Sequence, residues 1–347
     1  MRIGIPREVK DGEHRVALSP AAVRSLSNVI VEPGAGQGVG FSDDDYRAAG
    51  AKLGNPWDCD LVVKVKELQE SEYARPRPGQ TVFGFQHFGP DPELLDAALA
   101  SGATYIAYET VGQAGGRLPI LAPMSAIAGR LAVQVGAWCL QKQNGGSGVL
   151  LPGLDGIPAG KIVILGAGNV GSNALAVAYG LGARVAVFAK SEKRFSGLKA
   201  KYPQAGFHVG PLGQTLVDAD LVIAGVLTPG ELSPKLIDRR TLRNMRKGSA
   251  LVDVGIDQGG IAETSRPTSH SEPTYVEEGV VHYCVPNMPA ACARTASLAL
   301  EKAVLPYVKT LAAGSVDADL KTGIQVKAGK VTHEHLARDT GRAYSGL

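Results

Sequence analysis

The segment KIVILGAGNVGSNALAVAYGLG, residues 161–182, constrains the fold more than any other part of the chain. An apolar run of strand length leads directly into glycines at 166, 168 and 171, and a helical pattern follows. Glycines so spaced allow a tight turn, a backbone that a phosphate can approach, and a close helix–strand contact, while the helix N-terminus offers amides and a favourable dipole. In a chain with 44 glycines the spacing alone is a weak signal, and the flanking strand and helix supply its context. The segment therefore predicts a dinucleotide-binding unit in which Gly166, Gly168, Asn169, Val170 and Gly171 face a pyrophosphate.

The next strand, ending in VAVFAKSEKR, bears on which dinucleotide is bound. An acidic residue there usually holds both ribose hydroxyls of NAD. Here the position is Ala189, followed by Lys190, Ser191, Lys193 and Arg194. A missing carboxylate removes repulsion toward a 2′-phosphate and the basic residues attract one, so NADP is expected ahead of NAD. The alternative is NAD bound without the acidic contact, with these charges on a solvated loop face.

At 347 residues the chain exceeds the size at which single cores stop growing, and two domains are the default. From residue 2 to 110 the apolar runs RIGIP, VIVEPG, LVVKVK, TVFGFQH and TYIAYET alternate with helical SPAAVRSLS and DPELLDAALASG. That alternation signals a parallel, helix-flanked sheet. Ser19–Pro20 and Asp91–Pro92 read as N-caps with proline at the first helical position. PMSAIAGRLAVQVGAWCLQKQ reads as one long helix bridging the domains, and a second series of strands runs from Lys161 to VVHYCV. After Ala290, SLALEKAVLPYVKTLAAG is a helix that returns to the first domain and leaves a polar tail. The expected fold is α/β, two doubly wound Rossmann-like domains with a cleft between them: 1–120 plus 294–347 for substrate, 121–293 for dinucleotide.

Composition narrows the partners. The 36 basic and 33 acidic residues are dispersed, without the basic stripe that nucleic acid requires. No run approaches the ~18 consecutive apolar residues of a membrane span, and MRIGIPREVK lacks the apolar core of a signal peptide. Cys59, Cys139, Cys284 and Cys292 include no CxxC pair, which suits buried thiols in a cytoplasmic protein better than disulfides or zinc. His333 and His335, in THEHLA, lack a metal-binding partner and read as a solvated helix start. Tyr105, Tyr108, Trp138 and Tyr283 are expected as core aromatics.

Several segments together resemble the alanine dehydrogenase family: MRIGIPREVKDGEHRVALSP, LVVKVKE, ATYIAYETV, LPILAPMSAIAGRLAVQVGA, the GAGNVG loop, LVDVGIDQGG and YCVPNMPA. They span residues 1 to about 310 in the family's order, a family that includes the soluble portion of proton-translocating transhydrogenase. The resemblance implies that Arg15 and Lys66 bind a substrate carboxylate, that His87 is the acid/base, and that Asp257 helps activate water or handle ammonia. It also implies that Met124 and Ser125 line the junction of substrate and nicotinamide and that Asn287 and Met288 lie on the cofactor side. It suggests a homo-oligomer, hexamer or dimer.

The chemistry selects the same groups. Oxidising a 2-amino acid needs an anion clamp and a group that moves protons near neutral pH. Arginine offers a planar fork, lysine a point charge, and histidine a suitable pKa. The expected activity is reversible deamination of L-alanine or a similar small amino acid. The alternatives are a saccharopine or opine type of dehydrogenase, a transhydrogenase subunit, which has no use for Lys66 with His87, or a non-catalytic nucleotide-binding regulator. Departures from the family at Ala126, usually Glu, and in FGPD after His87 bear on substrate size.

Overall fold

The computed structural model describes residues 1–226 and 233–347. Contacts divide them into two units, one formed by Met1–Met124 with Cys292–Leu347 and the other by Ser125–Ala291. The limits lie at 124/125 and 291/292, where sequence reading set 120/121 and 293/294. The first limit falls in the opening turn of the helix Leu121–Cys139.

The first unit begins with strands β1 (Ile3–Ile5), β2 (Val29–Val31), β3 (Lys52–Leu53), β4 (Leu61–Val63), β5 (Thr81–Gly84) and β6 (Thr104–Ala107). The second holds β7 (Lys161–Leu165), β8 (Arg184–Ala189), β9 (Gly206–Val209), β10 (Leu221–Ala224), β11 (Ala250–Asp253), β12 (Thr274–Glu277) and β13 (Val280–Tyr283). The chain then returns to the first unit with β14 (Ile324–Lys327) and β15 (Lys330–Val331). The sheet orders are β15-β14-β6-β5-β4-β1-β2-β3 and β12-β13-β11-β10-β7-β8-β9. All pairings are parallel except those of β14 with β6 and β15, and of β12 with β13. Each unit thus contains the same doubly wound core, with the strand order reversing beside its first strand, and ligands bind such sheets beyond the carboxyl ends at that point.

Burial on both faces explains the nearly continuous apolar strands Ile162–Leu165 and Leu221–Ala224. One core cluster includes Val163, Leu165, Val222, Leu251 and Val280; another includes Val62, Val82, Leu94, Leu95 and Tyr105. The predicted caps form: Ser19 accepts from the Ala22 amide and Asp91 from the Leu94 amide. The first of those helices is only Pro20–Val23, because the Ser25 hydroxyl takes the Ala22 carbonyl and the chain turns away.

Residues after 312, expected as a polar tail, are part of the first sheet. Val326, Val331, Leu336 and Ala337 are buried in the same cluster as Leu94 and Tyr105, so a few well-spaced apolar residues outweigh a polar composition. His333 accepts from the Leu336 amide at the start of the helix Glu334–Thr340. Strands β9 and β12, which the sequence reading did not separate, are half-exposed edges. Trp138, expected in a core, is 39% exposed on the outer face of its helix, whereas Tyr105, Tyr108 and Tyr283 are buried. Among the described residues no helix is long and apolar enough to cross a membrane.

Candidate active site

In the first unit the charged residues collect on the segments that leave the carboxyl ends of β1, β4, β5 and β6. The stretch after β1 carries Glu8, Lys10, Glu13 and Arg15; β4 leads into Lys64 to Glu67; β5 leads into Phe85 to His87; β6 ends before Glu109. A parallel strand projects its next residues to one edge of the sheet, which is why segments so far apart in sequence meet there.

Arg15 is buried. Its Nε donates to Glu13 Oε1 at 2.7 Å and its Nη2 to Glu13 Oε2 at 2.5 Å, a two-pronged pair that fixes the guanidinium plane. The remaining nitrogen, Nη1, points to the Met124 sulfur at 3.2 Å. Sequence reasoning named Arg15 and Met124, and the fold brings them together.

Lys66 and His87 meet through two residues that were not named. The His87 Nδ1 lies 2.8 Å from Glu67 Oε2, and the Lys66 ammonium lies 3.7 Å from the same oxygen. Lys10 pairs with the other oxygen. Burial works against the Glu67 charge, but the His87 hydrogen bond and the charges of Lys66, His87 and Lys10 outweigh it and hold this carboxyl far below the usual range. The ring of Phe85 stacks on His87 at 5.7 Å between centroids and lies 5.7 Å from the Lys66 ammonium, so one aromatic face backs both groups.

His87 itself is held in an unusual conformation, with φ of +48°. Glu109 sustains it by accepting the His87 amide at 2.8 Å and the Gln86 amide at 3.2 Å. The motif KVKE displayed Glu67 beside the lysine. Glu109 sits one strand away and carries no local sign of its role.

In the second unit, Gly166 has φ of +101°, and a methyl group on Gly171 would lie 1.7 Å from the Gly166 carbonyl oxygen. No side chain caps the helix Asn169–Gly180, and a methyl on Gly168 would meet nothing within 4 Å. The turn is thus closed by two glycines and open at the third. The Val170 side chain is buried under Gly225, leaving its backbone at the helix start. At the end of β8, Ala189 is followed by exposed Lys190, Ser191, Lys193 and Arg194, and the one carboxylate of that stretch, Glu192, pairs with Lys199 at 2.7 Å.

Asp257 is exposed on a short turn, Ile256–Gln258, after β11. The turn is stapled from both sides. Buried Asp253 accepts from the amides of Gly255 at 3.2 Å and Ile261 at 2.8 Å and from the Ser265 hydroxyl at 2.6 Å. The Lys235 ammonium donates to the carbonyls of Gly259 at 2.6 Å and of Gly260 and Ala262 at 3.0 Å. Asn287, with φ of +55°, and buried Met288 follow β13, and Ser125 lies partly exposed in the Leu121–Cys139 helix. The predicted residues therefore fall into a set in each unit, all but Met124, Ser125 and Ala189, the last residue of β8, on segments beyond strand carboxyl ends.

Two family models cover nearly the whole chain: alanine dehydrogenase/PNT, N-terminal domain, over residues 4–128, and alanine dehydrogenase/PNT, C-terminal domain, over 132–334. A protein from Halomonas elongata named alanine dehydrogenase is 47% identical, the match covering 99% of this chain and 98% of that one. Among solved structures, an L-alanine dehydrogenase superposes with a TM-score of 0.95 at 42% identity, covering 98% of this chain and 99% of its own. A transhydrogenase from Sinorhizobium meliloti gives 0.84 at 27% identity, over 96% and 99%.

Proposed function

The chain belongs to the alanine dehydrogenase/PNT family, and from that premise we propose that it interconverts L-alanine, or a similarly small L-amino acid, with its 2-oxo acid and ammonia, using a nicotinamide dinucleotide. The observation that carries this reading over a nucleotide-to-nucleotide transfer is the Lys66–Glu67–His87 group, with His87 Nδ1 at 2.8 Å from Glu67. Such an arrangement serves a substrate that carries a carboxylate and exchanges protons.

In this reading Arg15 and Lys66 hold the substrate carboxylate, Arg15 through the Nη1 edge that its pairing with Glu13 orients. Glu67 accepts from His87 Nδ1, which makes Nε2 the basic nitrogen of the neutral ring. His87 takes a proton as water adds to the imine carbon and returns one to the departing ammonia; for Asp257, in the second unit, the proposed role in activating water or handling ammonia is the one the family resemblance implies. Met124, beside Arg15 in the first unit, and Asn287, in the second, are each proposed as substrate contacts. When bound, the nicotinamide supplies the two-electron acceptor. Gly166, Gly168, Asn169, Val170 and Gly171 would hold its pyrophosphate, and the glycine contacts above fit that use; Ser125, Asn287 and Met288 complete the cofactor side.

NADP is preferred over NAD in this proposal, on the strength of Ala189 and the exposed Lys190, Ser191, Lys193 and Arg194. The enzyme works as a homo-oligomer, for which exposed Leu150, Leu154, Ile157 and Trp138 on the second unit supply apolar contact surface. Free, buried Cys59, Cys139 and Cys284 suit a cytoplasmic location. The purified protein should oxidise alanine with NADP, and its reduction of pyruvate should require ammonium. Reduction that requires a second amino acid in place of ammonium would make it a saccharopine or opine type of enzyme, and no turnover at all would make it a regulator.

A further inference from the structure

Glu8 is a buried carboxylate that none of the roles above uses. It lies on the segment after β1, and its side chain is 2% exposed. Its Oε1 accepts the Val65 amide at 2.7 Å and its Oε2 the Lys66 amide at 3.3 Å. One carboxylate therefore grips two consecutive amides where the chain leaves β4, and the second belongs to the residue read above as a carboxylate ligand. We propose that Glu8 is the positioning residue for Lys66, its ionised carboxylate setting the backbone from which the Lys66 ammonium reaches a 2-oxo or 2-amino acid.

The proposal rests on the reading of Lys66 given above and deepens it. At Glu8 each of the two amides has its own acceptor oxygen. An ionised carboxylate provides both; a carboxamide or a protonated carboxyl turns an N–H or O–H toward one of them. The charged groups facing Glu8 are Lys64, whose ammonium is 3.6 Å from Oε2 and 2.6 Å from Glu72, together with Glu13 and Glu72 themselves and buried Tyr108. Burial pushes the Glu8 carboxyl up to about 7, against the pull of Lys64 and the Val65 amide and with the repulsion of Glu13 and Glu72. Its ionisation then changes near neutral pH. The sign follows from the grip: substrate affinity is full above about pH 7, where Glu8 is charged, and declines as pH falls through that value. Pyruvate stays an anion over the whole interval, so its own titration contributes nothing.

The test measures pyruvate affinity of the enzyme carrying reduced nicotinamide nucleotide, without ammonium, from pH 5.5 to 8.5, roughly one and a half units either side of the Glu8 midpoint, for wild type and Glu8→Gln. Wild type should lose affinity toward the acid end. Glu8→Gln should bind pyruvate about tenfold more weakly at high pH, as expected for a lost charge-assisted hydrogen bond, with little further change on acidification. Its nucleotide affinity should be unchanged, and with ammonium present KM for pyruvate should rise while kcat holds. A Glu8→Gln enzyme with wild-type pyruvate affinity overturns the proposal, as does a wild type whose affinity is flat or strengthens on acidification. The latter needs no Glu8 variant and, repeated in a His87→Ala background that removes the histidine's own titration, decides the matter if Glu8→Gln fails to fold. A wild type that neither binds nor reduces pyruvate removes the functional reading and this inference with it, whereas turnover with an indifferent Glu8→Gln removes the inference alone.

Discussion

The two units repeat one strand order but fill the turn after the first strand in opposite ways. After β7 the chain closes into GAGNVG and runs straight into a helix whose N-terminus no side chain caps. After β1 it runs through PREVKDGEHR, whose Glu8, Lys10, Glu13 and Arg15 fill the same topological place with ionisable groups, each with an oppositely charged partner. A backbone turn with open amides and no side chain suits a phosphate, which it meets with fixed dipoles. A longer turn lined with fixed cations and their counter-carboxylates suits a small organic acid, whose position must be set at a particular atom. In the proposed function one sheet edge thus takes the nucleotide and the other the acid-base chemistry, with no change of architecture.

The difference can be broken first at its glycines. Gly171→Ala places a methyl 1.7 Å from a backbone oxygen that cannot move far, and thermal unfolding should show the second unit destabilised by more than about 4 kcal/mol. Gly168→Ala enters open space, so it should leave stability within about 0.5 kcal/mol yet weaken nucleotide binding tenfold or more, roughly 1.4 kcal/mol. Equal effects from the two substitutions would mean that the open glycine is not where a phosphate approaches.

The first unit should show the reverse pattern, with nucleotide binding intact and turnover lost. His87→Ala is expected to reduce kcat by ~10²–10⁴, and Lys66→Met to cost about 2–4 kcal/mol in kcat/KM, since truncating one partner strands the other. Glu67→Gln should lower kcat by less than His87→Ala while leaving nucleotide affinity alone. Titration of nucleotide fluorescence separates the outcomes, and loss of nucleotide binding in these variants would erase the division of labour between the sheets.

The smallest effect concerns which nucleotide the second unit selects. Ala189→Asp should turn preference toward NAD by at least about tenfold, because a carboxylate there bonds the ribose hydroxyls and repels a 2′-phosphate. Competing kcat/KM values for the two nucleotides give the answer, and a wild type already faster with NAD would refute the assignment of Lys190, Ser191, Lys193 and Arg194.

What was legible in the sequence is what local chemistry dictates. The strand–glycine–helix segment at 161–182 announces its own conformation, the caps at Ser19 and Asp91 form as their residue types require, and apolar runs buried on both faces advertise a parallel sheet. Arg15, Lys66 and His87 could be named because their motifs are local and the family resemblance is strong. The partners that orient them were hidden, since Glu109 lies 22 residues from the amide it holds and Glu8 lies 57 from the Val65 amide, separations at which sequence carries no signal of contact. The end of the chain misled for a related reason. Its composition is polar, yet β14 finds an open sheet edge at β6, and edge pairing depends on which partner the fold leaves exposed. Local pattern determined the elements and the kinds of chemistry; only the tertiary structure decided which carboxylate meets which cation, because burial and pairing of charge are properties of neighbours in space.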